Sequence, residues 1–207
     1  MKLEALLFIA VLNCPYLWEW AGPAYGDVYN PPEFPEWMVD EGMAWLYIMP
    51  AGLRYEPLID PALVLLVIVV ETCGNPNYVG AHGEVGLMGI IPRSWTLPDL
   101  RSDSVNVQQG SHMLAVLLEQ NDWDERETLA LYNCGKDKLE QDACGNGGYE
   151  YADVALPGLS LFQRRLEAMA GLRSGFILGP WLCTRGYGSE QSCGYRLSRT
   201  DSLEFEL

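Results

Sequence analysis

Residues 61–70 read Pro-Ala-Leu-Val-Leu-Leu-Val-Ile-Val-Val, ten apolar side chains in succession, and the run ends on Glu71-Thr72. Such a stretch buries itself, so whatever it forms belongs to the centre of a core. Periodicity alone does not separate a buried helix from a buried strand here. The flanks do: Asp60 is a good N-cap, Pro61 suits the first helical position, and the length gives about three turns. Gly74-Asn75-Pro76 then form an abrupt stop. The spacing predicts a buried helix that closes on a carboxylic acid.

That acid, Glu71, is chemically unusual. A carboxyl directly after ten apolar residues is at least partly desolvated, and the C-terminal end of a helix dipole disfavours negative charge. Both effects raise its pKa. A carboxyl group that stays protonated near neutral pH is what a glycosidase needs to protonate a leaving glycosidic oxygen. A Glu that ends a helix is more often a solvated cap, so this feature alone does not assign catalysis.

Composition sets the frame. With 207 residues, 49% of them hydrophobic, the chain can form one compact domain plus appended segments. Its formal net charge of -15 opposes association with nucleic acid, which is dropped as a partner. Six cysteines (Cys14, Cys73, Cys134, Cys144, Cys183, Cys193) suggest an oxidising compartment, with free buried thiols as the alternative. Cys183 and Cys193 flank a Gly-rich turn and are the expected pair; no spacing gives a CxxC metal pattern. Near the start, Lys2 precedes the apolar run Leu6 to Leu12, which reads either as a signal-peptide core or as an element packed onto the domain. It is too short to span a bilayer, and no integral membrane span is expected.

Along the chain, residues 1–35 form an N-terminal lead-in, of which 15–35 are rich in Pro, Tyr, Trp and Gly and read as extended. An amphipathic helix is predicted from Glu36 to Ile48, stopped by Pro50 and Gly52. Residues 77–92 are Gly-rich and predict a loop or small hairpin closed by Pro92. Helices follow from Val105 to Leu118, from Glu125 to Tyr132 with Gly135 as the stop, from Lys136 to Ala143, and from Tyr149 to Ala170, the last kinked or broken at Pro157-Gly158. Residues 173–207 read as a Cys- and Gly-rich tail folded onto a domain spanning 36–172. The fold class is mainly α.

Four short motifs stand in order around Glu71. Glu71-Thr72 is followed by Gly83-Glu84-Val85-Gly86-Leu87-Met88-Gly89-Ile90-Ile91-Pro92, then by Asn106, Gly110 and Leu114 at a spacing of four, then by Tyr132-Asn133-x-Gly135, then by Tyr151 three residues before Val154. Singly each occurs by chance. Together, over roughly residues 58–156, they resemble the signature of the soluble lytic transglycosylases and their goose-type lysozyme relatives. Two positions depart from that family's pattern. Thr72 stands where Ser is usual, and Gly89 stands where Gln is usual, which removes an amide and is expected to open or loosen that wall of the site.

The resemblance implies a lysozyme-like helical domain in which the Gly-rich segment forms one wall of a cleft. It implies that Glu71 is the catalytic acid and then base, cleaving the linkage between N-acetylmuramic acid and N-acetylglucosamine in peptidoglycan glycan strands with a 1,6-anhydro product. Thr72, Gly86, Met88, Gly89, Tyr132, Asn133 and Tyr151 become the expected substrate-binding residues, with backbone near Met88 offering hydrogen bonds to a sugar acetamide. A bond between Cys73 and Cys134 would brace the site. No metal or cofactor is expected, the chain is expected to act as a monomer, and the compartment is extracytoplasmic. Because bulk charge gives no attraction to an anionic wall polymer, binding must come from shape.

Alternatives remain at this level. A hydrolytic muramidase on the same fold would need a second carboxylate, for which Glu84, Asp103, Glu150 and Asp153 are candidates, although each reads first as surface charge. An inactive wall-binding component would keep the fold. A Cys134–His112 nucleophile pair and zinc held by His82 and Cys73 are formally available but have no supporting pattern.

Overall fold

A computed structural model describes residues 34–92, 97–141, 143–144, 148–170 and 178–187. The run Leu6 to Leu12, Cys14 and Cys193 lie outside the described residues, and so do the expectations of a signal segment and of a Cys183–Cys193 bond. The chain divides into two compact units, residues 1–162 and 163–207.

The first unit is organised around α3, Pro61–Thr72, with α1, Glu36–Met43, and α2, Met49–Gly52, before it. Asp60 caps α3 through its side chain, which accepts a hydrogen bond from the Ala62 backbone N–H at 2.8 Å. Pro61 occupies the first turn, where its missing N–H costs nothing. Every residue from Pro61 to Val70 is buried, as an all-round apolar helix requires. The helix stops where Cys73 takes up a left-handed conformation with φ 51°, and Gly74 follows with φ 70°.

Around α3 lie α1 and α5, Asp103–Gln120; α5 also contacts α2, the short helix α4, Leu97–Leu100, and α6, Glu125–Cys134. Then come α7, Lys136–Glu140, and α8, Tyr149–Ala170. Close packing is visible in small residues. A Cβ at Gly42 would sit 2.6 Å from the Phe162 ring, and one at Gly52 would sit 2.4 Å from the Val107 side chain.

Three sequence expectations are corrected. The helix predicted over 36–48 ends at Met43, and a 3-10 turn over Leu46–Ile48 leads into α2, where Pro50 sits inside the first turn rather than stopping the chain. At the other end, α8 runs through Pro157 to Ala170. A mid-helix proline costs about 3 kcal/mol, but Ala152, Ala155, Leu159 and Phe162 are buried on this helix and hold it in place. Phe34 packs edge-on to Phe162, with ring centroids 6.3 Å apart.

In the second unit, the stretch read as an irregular tail contains a helix, α9, Leu178–Thr184, with Leu182 and Cys183 buried. Its seven residues are too few to show a helical period in a Gly-rich neighbourhood.

The Asp60 cap gives a direct test of this fold. Asp60→Ala is expected to lower the stability of the chain by about 1 kcal/mol, read as a fall in the urea midpoint with unchanged slope. No change would mean that α3 starts without help from the cap.

Candidate active site

Glu71 is the penultimate residue of α3, and its two carboxylate oxygens have different neighbours. Oε1 accepts a hydrogen bond from the Tyr151 hydroxyl at 2.7 Å. Oε2 faces the backbone of Gly89, where an added Cβ would lie only 2.9 Å away. Gly89 has φ +58°, a left-handed conformation that glycine adopts without strain. Glycine here therefore lets the loop close onto the acid. The Gly89 backbone forms the wall at this point, with no side chain projecting from it.

The loop that carries Gly89 is small and well braced. Val85 pairs with Val79 and with Ile90 in isolated antiparallel bridges, the second closed by Val85 N–H to Ile90 carbonyl at 2.9 Å and Ile90 N–H to Val85 carbonyl at 3.0 Å. This is the compact form of the predicted loop or hairpin.

Thr72 is 1% exposed, and its hydroxyl lies 2.8 Å from the Leu87 carbonyl and 3.0 Å from the Ile68 carbonyl. A single proton serves both acceptors. Met88 is fully buried, its N–H donating to Asn106 Oδ1 at 2.8 Å and its carbonyl accepting from the Tyr132 hydroxyl at 2.8 Å. The Met88 N–H is thus already used within the protein. Gly86 has φ +72° and presses on Asn106, whose Nδ2 would be 2.3 Å from a Cβ there.

Tyr151, near the start of α8, is held by a tie between helices. Arg126 on α6 pairs with Asp153 through two hydrogen bonds of 2.6 and 2.9 Å, and its guanidinium lies 4.4 Å from the centre of the Tyr149 ring. Tyr149 in turn donates to Glu127. The pair is exposed and worth little energy, but it fixes the turn of α8 that carries Tyr151. The Arg126 guanidinium holds the Asp153 carboxyl below its usual range, which occupies one of the expected alternative carboxylates. Asn133, next to Tyr132 near the end of α6, is exposed.

Cys134 is bonded to Cys144, so the expected Cys73–Cys134 brace is corrected and Cys134 is no free nucleophile. The loop closed is short, ten residues in sequence separation. It fixes the end of α6 immediately after Tyr132 and Asn133. Cys73 and Cys183 are disulfide-bonded as well. His112 pairs with Glu56, Nδ1 to Oε1 at 2.7 Å.

The electrostatics follow from this packing. Glu71 is partly buried; the desolvation of its carboxyl raises its pKa, the Tyr151 hydrogen bond opposes this by stabilising the ionised form, and the Glu84 carboxylate adds to the rise. Burial wins, and the pKa stands at about 7. The same burial, with the Glu71 charge beside them, pushes the Tyr132 and Tyr151 hydroxyls well above their ordinary value. Both remain proton donors. Tyr78 lies under the influence of Glu84 and Glu71, and its hydroxyl is raised first by burial and then by those charges.

Tyr78 and Glu84 are thus neighbours of the acid that the motif order does not assign as binding residues. Glu84 is held in the loop, accepting from the His82 backbone N–H at 2.9 Å and pairing with the His82 ring at 3.2 Å. Asn106 was legible only as part of a spacing motif. Asn106 stands in the first turn of α5, four residues before Gly110, and that spacing is the signal that could have pointed to a loop backbone against the same face.

A raised carboxyl pKa is also a stability statement. The folded value of about 7 lies above the ordinary 4.5, so Glu71 destabilises the fold progressively as pH rises from 4.5 to 7, by about 3 kcal/mol at roughly 1.4 kcal/mol per pH unit. Glu71→Gln removes the ionisation. Its stability relative to the wild type is expected to improve by about 3 kcal/mol between about pH 4 and about pH 8.5 in urea unfolding. A difference that does not change with pH would contradict the burial of this carboxyl.

Residues 50–153 match the model of the transglycosylase SLT domain. Among curated proteins, the endo-type membrane-bound lytic murein transglycosylase A of Klebsiella pneumoniae subsp. pneumoniae is 31% identical over 106 residues, which cover 44% of this chain and 51% of the relative. The protein of the same name from Salmonella paratyphi B is 29% identical over 106 residues, with the same coverage. This chain spans about half the length of the curated relatives it matches. Among the described residues, no helix is long and apolar enough to cross a membrane. The mainly helical fold, the Glu71 site at the end of its central helix and the match over half of the sequence agree, and the chain belongs to the transglycosylase SLT domain family.

Proposed function

We propose that this chain is a peptidoglycan lytic transglycosylase with Glu71 as its one catalytic acid and base. The observation that carries the reading is the Glu71 carboxyl with a pKa of about 7, hydrogen-bonded by Tyr151 and closed in by the Gly89 backbone. Near neutral pH such a group is protonated about half the time, so it can give a proton and take one back. That is the requirement of a two-step reaction run by a single residue.

In the first step, the Glu71 proton passes to the glycosidic oxygen between N-acetylmuramic acid and N-acetylglucosamine, the bond from C1 to that oxygen breaks, and the oxocarbenium-like centre forms. In the second, the muramyl C6 hydroxyl attacks C1 and its proton returns to Glu71. The product is the 1,6-anhydro ring, and no water is consumed. Tyr151 steadies the carboxylate that exists between the steps. Thr72, Met88 and Gly86 act in this reading by shaping the loop, while Gly89, Tyr132, Tyr151 and the exposed Asn133 are the residues it assigns to the sugar.

The catalytic domain in this reading spans residues 36–172, works as a monomer, and meets its substrate outside the cytoplasm; the relatives' names place those proteins at a membrane and on murein. A hydrolytic muramidase would need a second carboxylate to activate water. Asp153 is tied to Arg126, and Glu84 is the carboxylate whose charge reaches Glu71.

Digestion of purified peptidoglycan, with products weighed by mass spectrometry, separates the readings. The wild type is expected to release anhydro-muropeptides with an alkaline limb of kcat/KM near pH 7, and Glu71→Gln to lose at least about 1,000-fold in activity with its helical circular dichroism intact. Products one water heavier would overturn the anhydro reaction, and an active Glu71→Gln protein would overturn the role of Glu71.

A further inference from the structure

Asn106 lies in the first turn of α5, three residues after Asp103, and is 1% exposed. Its amide nevertheless ties α5 to the loop through two hydrogen bonds and to Leu100 of α4 through a third. Oδ1 accepts from the Met88 N–H at 2.8 Å, while Nδ2 donates to the Val85 carbonyl at 2.9 Å and to the Leu100 carbonyl at 3.0 Å. One side chain therefore bonds three backbone groups in two separate segments, and of these the Val85 carbonyl also accepts from the Ile90 N–H.

The surroundings are fitted to this arrangement. Gly86 admits the amide where any Cβ would clash with it at 2.3 Å, and one turn along α5, Gly110 admits Met88, whose sulfur would lie 2.3 Å from a Cβ there. Leu114, a further turn on, is fully buried. Positions four apart share one helix face, so Asn106, Gly110 and Leu114 form a seat for the loop. Met88 is the hinge of the matter: its N–H is held by Asn106, its carbonyl receives Tyr132, and the next residue is Gly89, which covers Glu71 Oε2.

We infer that Asn106 is a positioning residue for the acid, fixing Met88 so that Gly89 covers the Glu71 carboxyl and Tyr132 is oriented beside it. The inference rests on the reading of Glu71 as the catalytic acid and adds a residue that touches neither substrate nor the reacting atoms. Thr72, through its hydroxyl at the Leu87 carbonyl, holds the same loop from α3. Three helices thus suspend one loop: α3 by Thr72, α5 by Asn106, α6 by Tyr132.

Removing the amide leaves buried backbone groups unpaired, and the loop has to move to hydrate them. More water then reaches the partly buried Glu71. The groups facing that carboxyl are Tyr151 from α8, Tyr132 from α6, and Tyr78 and Glu84 from the loop. Hydration of the carboxyl and retreat of Glu84 both favour ionisation, so the acid should become stronger. Loss of the Tyr151 bond would act in the opposite direction, which makes the sign of the change informative.

The test compares wild type with Asn106→Ala, using Asn106→Ser if the first does not fold. In folded variants the alkaline limb of kcat/KM is expected to move down by at least about one pH unit, which leaves roughly one-tenth of the acid protonated at pH 7 in place of one-half and lowers kcat about fivefold, with KM changed little. Titration of the Glu71 carboxyl by carbon-13 NMR should show the same displacement without any substrate. This arm reads Asn106 even if the wild type fails to cleave peptidoglycan, so the two ideas fail separately. A folded variant that is merely less stable, with the pH limb and carboxyl titration of the wild type, overturns the inference. Failure of both variants to fold would make Asn106 a determinant of the fold alone and overturn it equally.

Discussion

The site depends on a contest between two effects on one carboxyl group. Burial at the end of α3, under the Gly89 backbone, disfavours the charge on Glu71, while the Tyr151 hydroxyl at 2.7 Å favours it. Neither dominates so far as to freeze the group in one state. A hydrogen bond to a charged acceptor is worth about 1.5–3 kcal/mol, and full burial of an unpartnered carboxylate costs considerably more. The balance comes to rest at a pKa of about 7, where a proton is easily given and easily recovered.

Most of the first unit can be understood as the apparatus that keeps this balance. The apolar run of α3 cannot shift along its axis without exposing Leu or Val to water, so the height of Glu71 is fixed by the core beneath it. The wall is fixed from the other side. Val85, Met88 and Leu87 are tied to α5 and α3 by amide and hydroxyl side chains that are themselves buried. Tyr151 is located by the exposed Arg126–Asp153 pair, where geometry matters more than energy. The Cys134–Cys144 bond steadies the end of α6 beyond Tyr132.

How much of this was legible in the sequence follows from which forces are local. The helix over 61–72 announces itself because capping and burial act on adjacent residues: Asp60, Pro61 and ten apolar side chains. The partial burial of Glu71 is legible for the same reason, whereas its reading as a catalytic acid came from the order of the motifs that follow it. The α-helical ranges of α5, α6 and α8 were also visible, since their apolar spacing and stops are local. Of the kink or break expected at Pro157, the break is absent, because the packing of Leu159 and Phe162 is tertiary and propensity does not register it. Cysteine pairing was beyond reach for the same cause, and the expected Cys73 partner for Cys134 proved to be Cys144. Gly89 is the instructive position. As a missing Gln it reads as a looser wall, and in three dimensions the same position, with φ +58°, lies against the end of the Glu71 side chain.

The chain belongs to the transglycosylase SLT domain family, and the proposed function rests on the state of the Glu71 carboxyl. The most direct measurement is the titration of the Glu71 carboxyl itself in the wild-type protein, by carbon-13 NMR with Glu71→Gln identifying the signal. The account requires a midpoint near 7, well above the ordinary 4.5 for a glutamate. A midpoint at or below 4.5 would show a solvated carboxylate, and the mechanism built on a buried acid would fall with it.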